Sequence, residues 1–542
     1  MRKKFKVISW ILALVMGLTL LSGCGAKDTS TQEEGKAEPS SEAVGEVSEQ
    51  DKQGGVLTFA LSATPKTIDP VKYTGVYEGN IIRNVADTLV RYTQDLSEIA
   101  PNLATEWSAS EDGKVYTFKL RDDVYFQKGK YQDGKQMTGE DVKYSLERSA
   151  TESVMNRLSM LDHVEVVSDF EVKCYLKEAN SAFLTVLTDS GNVIVPKEEV
   201  EGWGDAFGLN LVGTGPFKVV EWKKDDCVVL EKRDNYWGDK PYLDGVTFKF
   251  ISDRNMMTNA LRTGEIDIAT DLTGESVKIV KDDANLVLQE VPGLHVAYFY
   301  MNLIEGPTAD KRVREAIIRA IDIDEMVKGI YQFDEATRAY LPLPPGSWGY
   351  DASLESMIPE YDPEKAKALL AEAGYPDGFK TQIYVADKPA RVKMATILQA
   401  YLKQNLNVDL EIKTVEWGTF SDIASKGKAP IYGMSWTWYP DPYFFLNYMF
   451  HSSQIGSLGN GQGFNKPEVD QLLDQAVRVA DPNERAEAYK KALKSITEEY
   501  TRVNYSNEKV IYGLTSRVQG YEVRADNQAV FVSPEVNVWL KK

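Results

Sequence analysis

At 542 residues the chain is too long for one hydrophobic core, so two or three domains are expected. Its formal net charge of −19 excludes nucleic acid as a natural partner, because neutralising phosphates requires a basic face. Hydrophobic residues at 43% and aromatic residues at 11% are sufficient for packed cores and exclude a largely disordered chain.

The first segment reads as an export signal. Arg2, Lys3, Lys4 and Lys6 precede an apolar run from Val7 to Leu21, which ends in Leu21-Ser22-Gly23-Cys24. A basic start, a short apolar stretch and small residues before a cleavage point make a secretory signal. Its end resembles a lipobox, in which Cys24 is lipidated and becomes the new N-terminus. The run is shorter than the ~20 residues of a spanning helix, which argues against an ordinary transmembrane anchor. Residues 1–23 are therefore expected to be a lipoprotein signal peptide, and their removal would leave the body near −23. Residues 24–54 are polar, rich in glutamate and free of aromatics, and are expected to form a disordered tether. The protein is then expected at the outer face of the cytoplasmic membrane, held there by lipid.

Folded structure is expected from Gly55 onward. Val56–Ala60 reads as a strand, and "VYTFKL" at 115–120 followed by "RDDVYF" reads as a hairpin. Thr138-Gly139-Glu140-Asp141 has the form of a capping box ahead of a helix over 142–148. Strands follow within 217–231 and over 247–251. Asp310 caps a helix whose Val313, Ala316, Ile317, Ala320 and Ile321 recur at helical spacing. Asp362-Pro363 opens a helix that stops at Gly374, residues 394–406 form another, and residues 408–412 return to strand. Asp481-Pro482 starts a long helix to about Tyr500. The chain is mixed α/β, with no internal repeat and no visible linker, so its domains are expected to interleave.

Catalytic and metal patterns are absent. His163, His295 and His451 lie in distant segments, and no H-E-x-x-H, G-x-S-x-G or P-loop pattern occurs. Gly459, Gly461 and Gly463 read as a surface turn. Cys174 and Cys227 fall in separate strand-like stretches and are expected as two half-buried thiols, without metal spacing. No cofactor and no metal are expected, and the chain is expected not to be an enzyme. One segment stands apart. In Gly433-Met434-Ser435-Trp436-Thr437-Trp438-Tyr439-Pro440-Asp441-Pro442, two tryptophans and a tyrosine arrive at a strand end just before two prolines. Ligand-contacting groups favour such loops, and rigid aromatics offer area and π-faces; a buried strand running into a turn has the same pattern.

Across Gly55 to near the C-terminus the sequence resembles the extracellular solute-binding proteins that serve ABC importers of oligopeptides, dipeptides and nickel. The blocks "IIRNVADTLVRY", "PNLATEWSASEDGKVYTFKLRDDVYF", "GKQMTGEDVKYSLER", "GTGPFKVVEW", "LEKRDNYWG", "LRTGEIDIA", "YMNLIEGPTADKRVREAIIRAIDIDEMV", "DPEKAKALLAEAGY", "VEWGTF" and "YPDP" carry the resemblance, in order and spacing. It implies a periplasmic-binding-protein-like α/β fold of two main lobes joined by a hinge, with a third lobe inserted. Lobe I would combine 55–86, 213–297 and 505–542, lobe II would be an insertion at 87–212, and lobe III would run 298–504. A peptide would be enclosed between lobes I and III and delivered to an ABC permease with its ATPase subunits, the binding protein acting as a monomer.

The resemblance also implies site residues. Ligand backbone would pair, as an added strand, with Gly75-Val76-Tyr77 and with Gly433 to Trp436, including Ser435. Asn302 and Trp417 match positions beside the ligand cleft. Members that bind peptides hold the α-ammonium with an aspartate before the tyrosine of this motif, but here that position is Trp438. Asp441 or Glu78 would have to replace it, or Trp438 would offer a cation–π face beside Trp436 and Tyr439, or the ligand would lack the amine. An oligosaccharide stacking on the aromatics is the alternative within the same class, and a secreted hydrolase is the alternative outside it.

Overall fold

The computed structural model describes residues 48–542, apart from 388 and 480. Cys24, the signal segment and the tether as far as residue 47 lie outside the described residues. The end of the tether is fastened to the body before residue 55. Glu49 accepts from the Tyr242 hydroxyl, Gly54 donates its N–H to the Tyr242 carbonyl at 2.8 Å, and Gly55 donates to Asp244 Oδ2 at 2.9 Å.

Twelve strands form one continuous sheet. At one end, Val56–Leu61 pairs in parallel with Gly245–Phe250, which continues through Cys227–Lys232 to Phe217–Lys223. At the other end, Ile431–Thr437 lies between His295–Met301 and Lys380–Ala386, with Asp409–Val415 at the edge. The Arg502–Thr515 strand joins the two. Its first residues pair with His295–Met301, and its later ones with Leu286–Pro292 and Ile268–Ala269. A separate antiparallel sheet is built from Ala104–Ala109, Val115–Leu120, Glu171–Leu176 and Leu161–Ser168.

The periodic patterns account for most of this. Val56–Leu61 buries Phe59, which meets Phe248, Tyr512, Tyr521 and Phe531 at ring-centroid distances of 5.5, 5.9, 6.2 and 5.5 Å. Each such pair adds about 0.5–1.5 kcal/mol beyond area burial. Asp310, Asp362 and Asp481 all accept backbone N–H bonds at the starts of the helices Lys311–Arg319, Pro363–Glu372 and Pro482–Thr497. All five expected stripe residues are buried, although the first of these helices ends at Arg319 and leaves Ala320 and Ile321 just past it. The second ends just before Gly374, whose φ of +96° suits glycine. The capping box at Thr138 is present, and the helix behind it runs longer than expected, Gly139–Glu152. From that helix Arg148 grips buried Asp69 with two parallel bonds of 2.9 and 2.8 Å, tying the four-stranded sheet's layer to the larger sheet.

Three expectations are corrected. Residues 121–126 do not form the second arm of a hairpin. Both edges of Val115–Leu120 are occupied by other strands, and Tyr125 makes only an isolated bridge to Gln136. The glycines at 459 and 461 are buried rather than on a surface turn: a Cβ on Gly461 would sit 2.1 Å from the Ala424 carbonyl oxygen, so close packing requires glycine there. Cys174 and Cys227 are free thiols, and both are buried instead of half-buried, Cys174 completely.

Candidate functional site

A cavity of about 1140 Å³ opens where the two sheets and the C-terminal segment meet. Its wall takes Gly75 and Val76 from the start of the Val76–Val85 helix, Asp189 from the layer of the four-stranded sheet, Trp237, Trp438 with Tyr439, and Asp526. Of the expected site residues, Val76, Trp438 and Tyr439 line it.

The aromatic wall follows from local rules. Alternation along Ile431–Thr437 sends Trp436 and Trp438 to the same side, and Pro440 and Pro442 end the strand and start the Tyr443–Phe450 helix. Phe444 and Tyr448, four residues apart on that helix, complete a stack. Trp436 lies 5.1 Å from Tyr448 and 5.4 Å from Trp438, and Trp438 lies 5.4 Å from Phe444, with interplanar angles of 28°, 24° and 15°. Trp438 therefore already stacks on two protein rings, and only the remainder of its surface faces the cavity. The Nε1–H of Trp436 is buried with no acceptor among the described residues.

Strand pairing at this segment is one-sided. His295–Met301 covers one edge of Ile431–Thr437 throughout, whereas Lys380–Ala386 covers the other only at Ile431 and Tyr432. From Gly433 onward no strand among the described residues takes that second edge. Arg391 reaches it instead, donating Nη1 to the Gly433 carbonyl at 3.2 Å and Nη2 to Ser435 Oγ at 3.1 Å. The opposite segment is less open. Gly75 is extended, with φ −139° and ψ 167°, but Val76 and Tyr77 already belong to a helix, so their backbone cannot serve as a strand edge. The Tyr77 hydroxyl meets Ser62 Oγ at 2.9 Å and Asp271 Oδ2 at 3.1 Å.

Asp189 is a central polar residue that sequence reasoning missed. It accepts from the Tyr73 hydroxyl and the Gly191 N–H, each at 2.7 Å, from Arg157 Nε at 2.9 Å, and from the Tyr439 hydroxyl. Burial and the Asp189 carboxylate push the Tyr439 phenol well above its ordinary range, so it stays a neutral donor. Arg157 also lies 3.9 Å over the Tyr73 ring. Nearby, burial raises the Asp87 carboxyl to about 6, against hydrogen bonds from Trp237 Nε1 at 3.1 Å and Thr214 Oγ1 at 2.9 Å.

The remaining expected residues lie elsewhere. Asn302 is a turn organiser: its Nδ2 donates to the Gly427 carbonyl at 2.8 Å, and its Oδ1 accepts from Ile304 and Glu305 N–H at 2.8 and 3.1 Å. It borders a different hollow, of about 1130 Å³, whose lining includes Glu305, Gln382, Gln399, Lys403 and Glu411. Trp417 begins a surface helix, is 48% exposed and stacks on Phe420 at 5.5 Å. Asp441 is fully buried and does not line the cavity. It accepts from Arg485 Nη2, Thr185 Oγ1 and the Tyr443 N–H, each at 2.9 Å. Fully buried and already holding three donors, it is not open to a ligand ammonium. Glu78 is likewise buried, its carboxylate near the Lys66 N–H at 3.4 Å. Among the described residues no group of three or more His, Cys, Asp or Glu side chains is arranged to hold a metal, and no helix is long and apolar enough to cross a membrane.

Comparison with known proteins matches this architecture. The family described as bacterial extracellular solute-binding proteins, family 5, matches residues 98–457 through its middle region. A dipeptide-binding protein of Escherichia coli is 28% identical over 502 residues, covering 87% of this chain and 92% of that protein. Heme-binding protein A of Haemophilus influenzae is 30% identical over 467 residues, covering 81% and 84%. The structure of the ABC transporter-associated periplasmic binding protein DppA from Helicobacter pylori, in complex with the peptide STSA, superposes with a TM-score of 0.73 and 32% identity, covering 91% of this chain and 99% of that one. The matched region, the continuous mixed sheet and the solved relative agree, and the chain belongs to the family 5 bacterial extracellular solute-binding proteins.

Proposed function

We propose that this chain is the ligand-capturing subunit of an ABC importer, tethered outside the cytoplasmic membrane through a lipid on Cys24, and that it captures peptides. The observation that carries the peptide reading is the edge from Gly433 to Thr437 that no strand takes, held at Gly433 by Arg391 and reaching the 1140 Å³ cavity at Thr437. An extended ligand can add to that edge as a strand, with Trp438 and Tyr439 bounding its side chains. Relatives named for dipeptide binding, and the one solved with a bound peptide, support the same class. Lobe I at 55–86, 213–297 and 505–542, lobe II at 87–212 and lobe III at 298–504 would close on the ligand. The hinge would lie at the junctions of lobes I and III, near 297–298 and 504–505, where the strands at 295–301 and 502–515 pair.

The relatives are named as binding proteins, which supports a role without catalysis. A peptide panel tests the reading by melting temperature and solution scattering together. A true ligand should raise the melting temperature with concentration and shrink the radius of gyration. A tight ligand that leaves the scattering unchanged refutes closure, and preferential binding of an oligosaccharide panel over peptides refutes the ligand class.

A further inference from the structure

The cavity wall formed by Tyr73, Arg83, Arg157, Asp189, Arg524 and Asp526 has an uneven count of charges. Arg157 pairs with Asp189 at 2.9 Å, and Arg524 with Asp526 at 2.8 Å. Both carboxylates hold further donors as well: Asp189 the Tyr73 and Tyr439 hydroxyls and the Gly191 N–H, and Asp526 the Gln528 N–H at 3.1 Å. Arg83 is the third guanidinium. It donates Nε to Gln528 Oε1 at 2.8 Å and Nη2 to Ser190 Oγ at 3.2 Å, both neutral acceptors. Among the described residues no carboxylate forms an ion pair with it, and nothing accepts from Nη1. Three cations thus face two anions on one wall, inside a chain whose overall charge is −19.

Arg83 is half-buried, and such an imbalance is costly where solvent is partly excluded, because a desolvated cation is best stabilised by a charge partner with good hydrogen-bond geometry. Burial lowers the affinity of Arg83 for its proton, Arg524 adds repulsion, and Asp526 offsets part of this. Gln528 and Ser190 fix the plane of the guanidinium and leave one edge for a partner. A planar fork with free N–H groups matches a carboxylate. The two aspartates of this wall are occupied, so it offers selectivity for an anion rather than an ammonium, in keeping with the tryptophan at 438.

We propose that Arg83 anchors a carboxylate of the ligand, which completes the third ion pair of this wall when the cleft fills. This rests on the cleft being the peptide site and adds an orientation: the acidic end of the ligand lies at Arg83, and its other groups run toward Trp438.

The test uses alanine and glycine di- and tripeptides as free acids, each matched with its C-terminal amide, titrated calorimetrically into wild type, Arg83→Gln and Arg83→Lys. Wild type is expected to bind the acids about ten- to a hundredfold more tightly than the amides, the worth of one charged hydrogen-bonded contact. Arg83→Gln should erase that gap and leave amide affinity unchanged, and Arg83→Lys should keep part of it. The apo melting temperature of each variant reports folding, and the lysine variant carries the test if the glutamine variant does not fold. If acids and amides bind wild type alike, or if substitution weakens both equally, Arg83 is not the anchor, although the cleft still binds peptides. If wild type binds no peptide in either form, the peptide reading and the anchor fall together.

Discussion

Replacing Asp441 with alanine distinguishes a structural carboxylate from a ligand anchor. The side chain is fully buried and accepts three bonds of 2.9 Å, from Arg485, Thr185 and the Tyr443 N–H. Without it the Arg485 guanidinium stays buried against the faces of Trp348 and Tyr489, 4.7 and 5.4 Å away, with no anion to balance it. Breaking a buried pair from one side costs about 3–5 kcal/mol, because the surviving charge is left uncompensated. Arg485→Met removes that charge too, so the double variant should lose less than the sum of the single losses, by about 1–3 kcal/mol. Urea unfolding of the apo protein, followed by tryptophan fluorescence, measures all four corners of the cycle. An Asp441→Ala protein that unfolds like wild type but binds peptide poorly would refute the structural reading and restore Asp441 as a ligand contact.

Three further outcomes are expected. Trp438→Ala loses two stacked ring contacts, so apo stability should fall by about 1–3 kcal/mol and peptide affinity should also drop; unchanged affinity removes Trp438 from the site. Asp87, held near 6 in the folded protein against an ordinary 3.8, binds its proton more tightly folded than unfolded. Stability should therefore decline as pH rises through that window, by at most about 3 kcal/mol, and Asp87→Asn should abolish the decline; identical pH profiles contradict it. The charged group facing Asp87 is Arg233, with Tyr236, Trp237 and Thr214 as its other neighbours. Cys24→Ala should abolish labelling by a radioactive fatty acid, and persistent label would mean that the signal was misread.

Legibility in the sequence followed the range of the interactions. Caps such as Asp310, Asp362 and Asp481 act on N–H groups two or three residues away, so the helices they start were readable. The tryptophan pair was readable because strand alternation and proline placement are also local. Asp189 was not, because two of its donors, Tyr73 and Tyr439, lie 116 and 250 residues away and no periodicity links them. Asp441 was misjudged for a related reason: the Pro-Asp-Pro motif located the turn, but the inward pull of Arg485, 44 residues later, decided where the carboxylate went. The 121–126 segment follows the alternating 115–120 run closely enough to suggest a hairpin partner, yet strands from 104–109 and 171–176 claimed both edges of that run.

The Arg502–Thr515 strand carries one further consequence, for the order in which the molecule can be assembled. It lies in the interior of the large sheet, between strands made some two hundred residues or more earlier, at 268–269, 286–292 and 295–301. The two halves of the sheet cannot be joined until this stretch has been synthesised. A chain that emerges from its N-terminus onward is thus held open for most of its synthesis, which keeps it threadable through an export channel and exposes it to chaperones meanwhile. A fragment ending before residue 502 lacks the centre of its sheet rather than an edge, and it is expected to remain unfolded however much of the binding wall it contains.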